Sequence, residues 1–331
     1  MKRIILFSVS LLLVASMAWS AGRAEGSAAA PQQVVLRLAE THGPDYPTTL
    51  GNKEFARLVE ERTNGRIRIE VYPSAQLGEE RAVIEQVQFG AIDMTRVSIS
   101  PLAAFAPQLD ALQMPFLYRD KDHMWKVLRG EIGAEIMETL EGSGFVGLAW
   151  YDSGSRSFYT RRPVRTIADL RGMRIRVQES ELMVGLVQGL GAVATPMPFG
   201  EVYSALQTGV IDGAENNWPS YYATSHFEVA PYFTLNHHTR VPEIIVASKI
   251  VMDRLSPADQ EIIRQAAWDS MDYQISQWEA FEQEAEAAVR ANGNTIIEIA
   301  DNTPWQQAMQ PLYARLSPAN QRVVERIRAV R

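Results

Sequence analysis

The sequence contains no cysteine in 331 residues. This absence excludes a disulfide framework, a thiolate metal site, a cysteine nucleophile and a lipid anchor attached to cysteine. Basic residues are not in excess either, because 32 Lys and Arg stand against 39 Asp and Glu, for a net charge of −7. Nucleic acid is therefore not expected as a partner, since its binding favours a basic stripe. An anionic small molecule stays open, because a local arginine cluster can oppose the global charge.

Short catalytic motifs are also lacking. The chain has no G-x-S-x-G, no H-E-x-x-H and no phosphate-binding glycine loop. Two histidines are adjacent, His237 and His238, but no carboxylate or third histidine stands at metal-ligand spacing. We therefore expect no metal, no cofactor and no enzyme activity, and a secreted hydrolase remains the alternative from a different class.

Long apolar runs are confined to the N-terminus. Lys2 and Arg3 precede an apolar run of about fifteen residues, 4–18, which is short for a membrane span and typical of a signal peptide. We predict a signal peptide at 1–24 and a flexible leader at 25–33. The mature protein is then expected in the periplasm.

Strand and helix patterns alternate after the leader. Strands are predicted at 34–39, 67–71 and 92–97, with helices at 48–64 and 79–89 between them. Strands that alternate with helices favour parallel pairing, so the fold class is α/β. Ligands of such sheets lie beyond the carboxyl ends of the strands. His42 and Arg96 are candidates on that ground, although a lone histidine is more often structural.

A chain of this length usually forms about two domains. A strand at 145–151 and a flexible junction at 152–156 mark the predicted boundary. The predicted division is domain I from 34–152 and 241–255, domain II from 153–240 and 292–331, and a long helix at 256–291. Further predictions are one helix over 123–140, a strand-like run at Val210–Ile211 and an inter-domain crossing at 236–240.

A short alternating strand at 173–177 carries two arginines. Its period of two places Ile175 and Val177 on one face and Arg174 and Arg176 on the other. A guanidinium can hold both oxygens of a carboxylate, so this strand predicts a site for an organic acid. Alternation alone does not choose between the two arginines, and a solvated arginine is the commoner outcome.

Four segments, in this order, resemble the substrate-binding proteins of TRAP transporters (tripartite ATP-independent periplasmic transporters) of the DctP-like type. They read YPSAQLGEERAVIEQVQFGAIDM, DLRGMRIRVQ, ATPMPFGEVYSALQTGVIDGAENN and LSPADQEIIRQAA. The resemblance implies a two-domain periplasmic-binding-protein fold with a ligand cleft between the domains and a long helix spanning both. It also implies capture of an organic acid by hinge closure and delivery to a two-part membrane permease.

The resemblance also implies roles for individual residues. Arg176 matches the family arginine that forms the two-pronged salt bridge with the ligand carboxylate. Arg156 matches a second arginine, Asn216 a ligand-contacting asparagine, and Glu79 an acidic residue that acts through water or another side chain. Variable contacts are implied at His42, Arg96 and Ser98.

The segment GAENNWPSYYATSHFEVA resembles the subgroup that takes sugar acids such as hexuronates and aldonates. Trp218 would then present an aromatic face to the CH groups of the sugar, beside hydrogen-bonding side chains. A C4-dicarboxylate needs a second cationic anchor, and Arg96 leaves that alternative open.

Overall fold

The computed structural model describes residues 33–331. The predicted signal peptide, and all but the last residue of the predicted leader, lie outside this range. The strands are β1 (Val34–Ala39), β2 (Ile67–Tyr72), β3 (Met94–Ser98), β4 (Phe145–Tyr151), β5 (Arg156–Thr160), β6 (Arg174–Val177), β7 (Val193–Pro196), β8 (Gly213–Asn216), β9 (Tyr232–Thr239), β10 (Glu243–Ser248) and β11 (Thr295–Glu298).

Fifteen α-helices connect or cover these strands in the described range. They are α1 (Pro47–Arg62), α2 (Glu80–Gln88), α3 (Ile99–Leu102), α4 (Lys121–Leu128), α5 (Glu131–Thr139), α6 (Ile167–Leu170), α7 (Glu181–Gly189), α8 (Val202–Thr208), α9 (Trp218–Ala223), α10 (His226–Val229), α11 (Lys249–Met252), α12 (Pro257–Ala291), α13 (Thr303–Ala308), α14 (Gln310–Ala314) and α15 (Pro318–Ala329). Within residues 33–331, none of them combines the length and the apolar character that a bilayer crossing needs.

Two sheets organise the molecule, each with helices packed on it. The first has the strand order β2-β1-β3-β10-β4, and the second the order β11-β9-β5-β8-β6-β7. β1 pairs in parallel with β2 and β3, as the helical connections predict. β10 runs antiparallel to both β3 and β4, which makes the first sheet mixed. We call each sheet with its helices a lobe, and the α/β fold class is confirmed.

Between β4 and β11 the chain passes between the lobes at three places. Residues 152–155 lead from β4 to β5, residues 240–242 lead from β9 to β10, and α12 contacts α1 of the first lobe and α9 of the second. The long predicted helix is therefore present, capped at its start by the Ser256 hydroxyl, which accepts a hydrogen bond from the Asp259 amide. Two lobes joined by connections of this kind can close on a ligand by hinge motion.

Three local predictions were wrong. The helix predicted at 123–140 is two helices, because Gly130 is extended and caps the second one. Val210–Ile211 is a turn held by the Ile211 amide on the Ala205 carbonyl, so the strand starts later, at Gly213. Residues 236–239 complete β9 instead of crossing between lobes.

The last helix, α15, packs on the first lobe. Asn320 donates a hydrogen bond to the Pro107 carbonyl, and Arg326 forms an ion pair with Glu135. The division of the chain into domains stays a prediction. Residues 292–331 were assigned to domain II, but α15 within them packs on the first lobe.

Candidate functional site

A cavity of about 20 Å³ lies between the lobes and is lined from both of them. This space holds about one water molecule, so a ligand enters only when the lobes move apart. The side chains that line it are Thr41, His42, Tyr46, Thr48, Glu80, Arg96, Ser153, Arg156, Arg176, Gln178, Phe199, Asn216, Asn217, Ser220, Glu243 and Trp278. Most of these are polar, and three are arginines, so the cavity suits a small, polar and anionic molecule.

Arg176 reaches the cavity from β6. Its neighbours Ile175 and Val177 are fully buried on the opposite face, as the alternation predicts. Its Nε and Nη2 both donate to the Met197 carbonyl, at 2.9 and 2.7 Å. Its Nη1 is buried without a hydrogen-bond partner among the described residues. Burial lowers the pKa of this guanidinium, and the charges of Glu215 and Glu80 offset that shift only in part. No carboxylate in residues 33–331 forms an ion pair with Arg176.

Arg174, two residues earlier on the same strand, lies at the surface. Its guanidinium forms a 2.8 Å ion pair with Asp212, and its side chain is 46% exposed. The same face of β6 therefore carries two arginines, one in an exposed ion pair and one buried at the cavity. Successive positions on that face are about 6.6 Å apart, which is far enough for the two side chains to have different surroundings. Tertiary position, not alternation, separates the paired arginine from the available one.

Arg156 starts β5 and is held by Glu215 on the neighbouring strand β8. Its Nε and Nη2 donate to the Glu215 carboxylate at 2.5 and 2.8 Å, and its Nη1 donates to the Asn216 side-chain oxygen at 3.0 Å. Burial opposes ionisation of Glu215, but the Arg156 charge prevails and lowers its pKa to about 2. Arg156 is therefore already compensated.

The contacts of Asn216 fix the orientation of its amide. Its Oδ1 accepts from Arg156 and from the Asn217 backbone amide at 2.9 Å. The Nδ2 group is then the free end, so Asn216 offers the cavity a donor rather than an acceptor. A donor at this position suits a ligand oxygen, as a carboxylate would provide.

Arg96 lines the cavity from β3 of the first lobe and is surrounded by carboxylates. It donates through Nε and Nη2 to Glu40, and through Nη1 to Glu243 at 2.6 Å and to Glu80 at 3.3 Å. The Arg96 and Glu243 side chains lie on one face of the sheet, because β3 and β10 pair with Ser98 opposite Glu243. Burial alone would lower the pKa of Arg96, but the charges of Glu40 and Glu243 raise it well above its usual range.

Two of the carboxylates around Arg96, those of Glu243 and Glu80, are costly to ionise. Burial raises the pKa of Glu243 to about 7, although Arg96 acts in the opposite direction. Burial also raises the pKa of Glu80, whose side chain is 16% exposed. The second lobe contributes Arg176, which we call the cationic end of the cavity, and the first lobe contributes Glu80 and Glu243, which we call the acidic end. Glu80 is near enough to Arg176 for the charge of each to shift the pKa of the other.

An aromatic wall closes one side of the cavity. His42 stacks on Tyr46 with ring centroids 3.9 Å apart, and it meets the edge of Phe199 at 5.1 Å. The Tyr46 hydroxyl of the first lobe hydrogen-bonds the Ser220 hydroxyl of the second at 2.9 Å. Burial, followed by the charge of Arg96, holds the pKa of His42 well below its usual value. His42 is thus a neutral ring at the lobe boundary.

The structure brings five predicted side chains to the cavity and places three elsewhere. His42, Arg96, Arg156, Arg176 and Asn216 line it, whereas Glu79, Ser98 and Trp218 do not. Ser98 acts through its backbone amide, which donates to Glu80. Trp218 is buried in the second-lobe core, with its ring edge-on to Phe233 at 4.4 Å.

Glu79 lies at the boundary between the lobes. Its carboxylate reaches the backbone amides of Gly200 and Phe199, where a short 3₁₀ turn leads into α8 of the other lobe. Burial raises its pKa, and those amides lower it. Glu79 therefore links the lobes, while the next residue, Glu80, reaches the cavity.

Sequence reasoning missed Glu80 and Glu243 as cavity residues. For Glu80 the available signal was its position at a helix N-terminus, where an acidic side chain is favoured. Glu243 gave no local signal, because it begins an apolar strand and meets Arg96 only through sheet pairing.

Residues 38–319 match the family described as bacterial extracellular solute-binding protein, family 7 (DctP). The chain belongs to this family. A solute-binding protein of Chromohalobacter salexigens is 38% identical over 273 residues, which are 82% of this chain and 81% of the relative. The family prediction made from the four sequence segments is confirmed, and this is a family of solute-binding proteins.

Solved structures of family members are similar throughout the described lobes. A TRAP periplasmic solute-binding protein from Bradyrhizobium sp. BTAi1, in complex with α/β-D-galacturonate, is 44% identical with a TM-score of 0.87, covering 88% of this chain and 99% of its own. One from Roseobacter denitrificans with bound β-D-glucuronate is 39% identical with a TM-score of 0.87, covering 90% and 100%. The two-domain binding-protein fold is therefore confirmed.

Proposed function

We propose that this DctP-family protein captures a hexuronate, such as galacturonate or glucuronate, for a TRAP transporter. The observation that carries the proposal is the buried Nη1 of Arg176, which has no hydrogen-bond partner in residues 33–331 and belongs to a side chain that lines the cavity. A buried cation without compensation is costly, and a ligand carboxylate would compensate it. The similar structures with bound hexuronates support this choice of ligand.

In this proposal the ligand carboxylate binds the cationic end. Arg176 donates through Nη1 and the remaining Nη2 hydrogen, and Asn216 donates through Nδ2. Arg156 acts indirectly, through Asn216. It donates to the side-chain oxygen of Asn216, which leaves the amide nitrogen of Asn216 to face the ligand. The sugar hydroxyls then lie at the acidic end, where Glu80 and Glu243 accept hydrogen bonds.

The acidic end weakens the case for a C4-dicarboxylate. Such a ligand needs a second cation, and Arg96 is the candidate for that role. Arg96 is already bound by Glu40, Glu80 and Glu243. A ligand with a single carboxylate and several hydroxyls therefore fits the cavity better than a ligand with a carboxylate at each end.

Capture is proposed to follow hinge closure, with no chemical step on the ligand. The acid binds the second lobe through Arg176, and the first lobe then closes, which forms the Glu79 contact and the Tyr46–Ser220 hydrogen bond. We propose that the protein works in the periplasm after signal-peptide removal. The closed form would be recognised by a two-part TRAP permease.

Calorimetric titration of the mature protein tests the proposal. The ligands are galacturonate, glucuronate, galactonate, succinate and malate, and the variant is Arg176→Ala with Arg174→Ala as its matched control. We expect hexuronate binding in the wild type and in Arg174→Ala, and its loss in Arg176→Ala. Binding of succinate or malate alone would overturn the hexuronate proposal, and equal binding by both variants would overturn the anchor.

A further inference from the structure

The acidic end contains more negative charge than Arg96 needs. Glu40 alone binds Arg96 with both carboxylate oxygens, and it is itself held by the Thr48 hydroxyl and the Asn52 amide. Glu80 and Glu243 are therefore additional, with three carboxylates around one guanidinium. Packing of Arg96 does not account for the two extra groups, because a buried carboxylate carries a desolvation cost of its own.

Both additional carboxylates are fixed in place. The Ser98 backbone amide donates to Glu80 at 3.1 Å, and Glu80 and Glu243 share the Nη1 group of Arg96. They start α2 and β10, which are regular elements on the cavity wall. The acidic end is therefore rigid, and these carboxylates cannot simply swing away from a ligand.

A rigid acidic end treats hydroxyls and carboxylates differently. A carboxylate accepts hydrogen bonds from a hydroxyl, but it has no proton to offer another ionised carboxylate. Like charges placed together in an enclosed site cost several kcal/mol. The end that favours the hydroxyls of a sugar acid thus disfavours any ligand with a second acid group there.

We propose that Glu80 and Glu243 determine specificity by excluding sugar diacids and C4-dicarboxylates from the cavity. This inference rests on the proposed function, because it assumes that the first carboxylate binds Arg176. It further implies that removing the two charges, while keeping their shape, admits a second carboxylate beside Arg96.

The test uses the Glu80→Gln/Glu243→Gln double variant of the mature protein at pH 8, because burial raises the pKa of Glu243 to about 7 and its carboxylate must be ionised to repel a second acid group. The probes are galactonate and galactarate, two open-chain acids that differ in whether the far carbon is a hydroxymethyl or a carboxylate group. Galacturonate is titrated in parallel. We expect the ratio of galactarate to galactonate affinity to rise by at least about tenfold in the double variant, since tenfold is the smallest effect that one lost repulsion should give.

Glu85→Gln is the matched control, because Glu85 lies on the same helix with its side chain half exposed and paired only at 3.8 Å with Arg81. It should leave the ratio unchanged. If the double variant does not fold, Glu243→Gln alone is used, with a smaller change in the same direction. If galactonate binds too weakly for an affinity ratio to be measured, new binding of galactarate or succinate by the variant is the expected result.

Two results would overturn the inference. One is a wild-type protein that binds galactarate as tightly as galacturonate. The other is a folded variant that still binds galacturonate but gains no diacid. Failure of the proposed function looks different, because the wild-type protein would then bind no hexuronate at all.

Discussion

Arg176 and Arg96 are both buried arginines of one cavity, yet their surroundings are opposite. Arg176 donates to a single carbonyl and keeps a buried nitrogen without a partner, whereas Arg96 is bound by three carboxylates. Burial lowers the pKa of the first, and neighbouring charges raise that of the second. The comparison teaches that a buried arginine serves a ligand only where the protein has left its charge uncompensated.

The largest expected effect is on folding, from Arg96→Met. Removing this cation leaves Glu40, Glu80 and Glu243 buried without their partner. Breaking a buried ion pair in this way costs about 3–5 kcal/mol of unfolding free energy. Urea unfolding of the ligand-free protein measures it, and a variant as stable as the wild type would contradict the structural role of Arg96.

The second effect is on binding, from Arg176→Ala. We expect a loss of about 2–5 kcal/mol in hexuronate binding, because the ligand charge loses its buried partner. Unfolding free energy without ligand should not fall, since the guanidinium is itself uncompensated. Arg174→Ala is the control in both measurements. If Arg176→Ala destabilises the protein as much as Arg96→Met does, the contrast between the two arginines is wrong.

A smaller effect is expected where the lobes meet, from Glu79→Ala. This change removes the contact with the Gly200 and Phe199 amides and should weaken ligand binding by about 1 kcal/mol, as loss of a hydrogen bond typically does. Small-angle scattering with saturating ligand should show a larger fraction of open protein. Glu85→Ala, an exposed change on the same segment, should show neither effect.

The last expected effect is a pH slope that belongs to Glu243. Its pKa is about 7 in the folded protein, where Glu80, Glu40 and Arg96 surround it, and 4.5 is its ordinary value. Because the folded state holds this proton more tightly, the group's contribution to stability falls as pH rises from about 4.5 to 7 and is constant above.

Glu243→Gln removes this titration. Relative to the wild type, its unfolding free energy should therefore increase from pH 5 to pH 7 and then level off. Denaturant titrations at pH 5, 6, 7 and 8 measure the difference. A difference that does not change with pH would show that Glu243 is not held in its protonated form.

Much of the fold was predictable because its signals are local. Alternation and helical spacing located β1, β2 and α12 to within one or two residues of their observed bounds. The errors came where local signals compete. Gly130 divides an apparently continuous helix, and the apolar pair Val210–Ile211 lies in a turn, with Val210 exposed and Ile211 buried, rather than in a strand.

The candidate site was predictable in part. The sequence segments identified Arg176, and the structure places it at the cavity, but the same reasoning treated Arg96 as an available second anchor. Trp218 was expected to face a sugar, yet it packs in the second-lobe core beneath Arg290. A residue type indicates what a side chain can do, and it does not indicate whether a neighbour has already used that capacity.

By itself the sequence determined the family, the α/β class, the long helix and the strand that carries Arg176. These follow from patterns within a few residues and from segments that keep a fixed order. Only the tertiary structure decided which charges meet, because Arg96 finds Glu40 at 56 residues' distance along the chain and Glu243 at 147. Compensation of charge depends on distance in space, and that distance exists only once the sheets have formed.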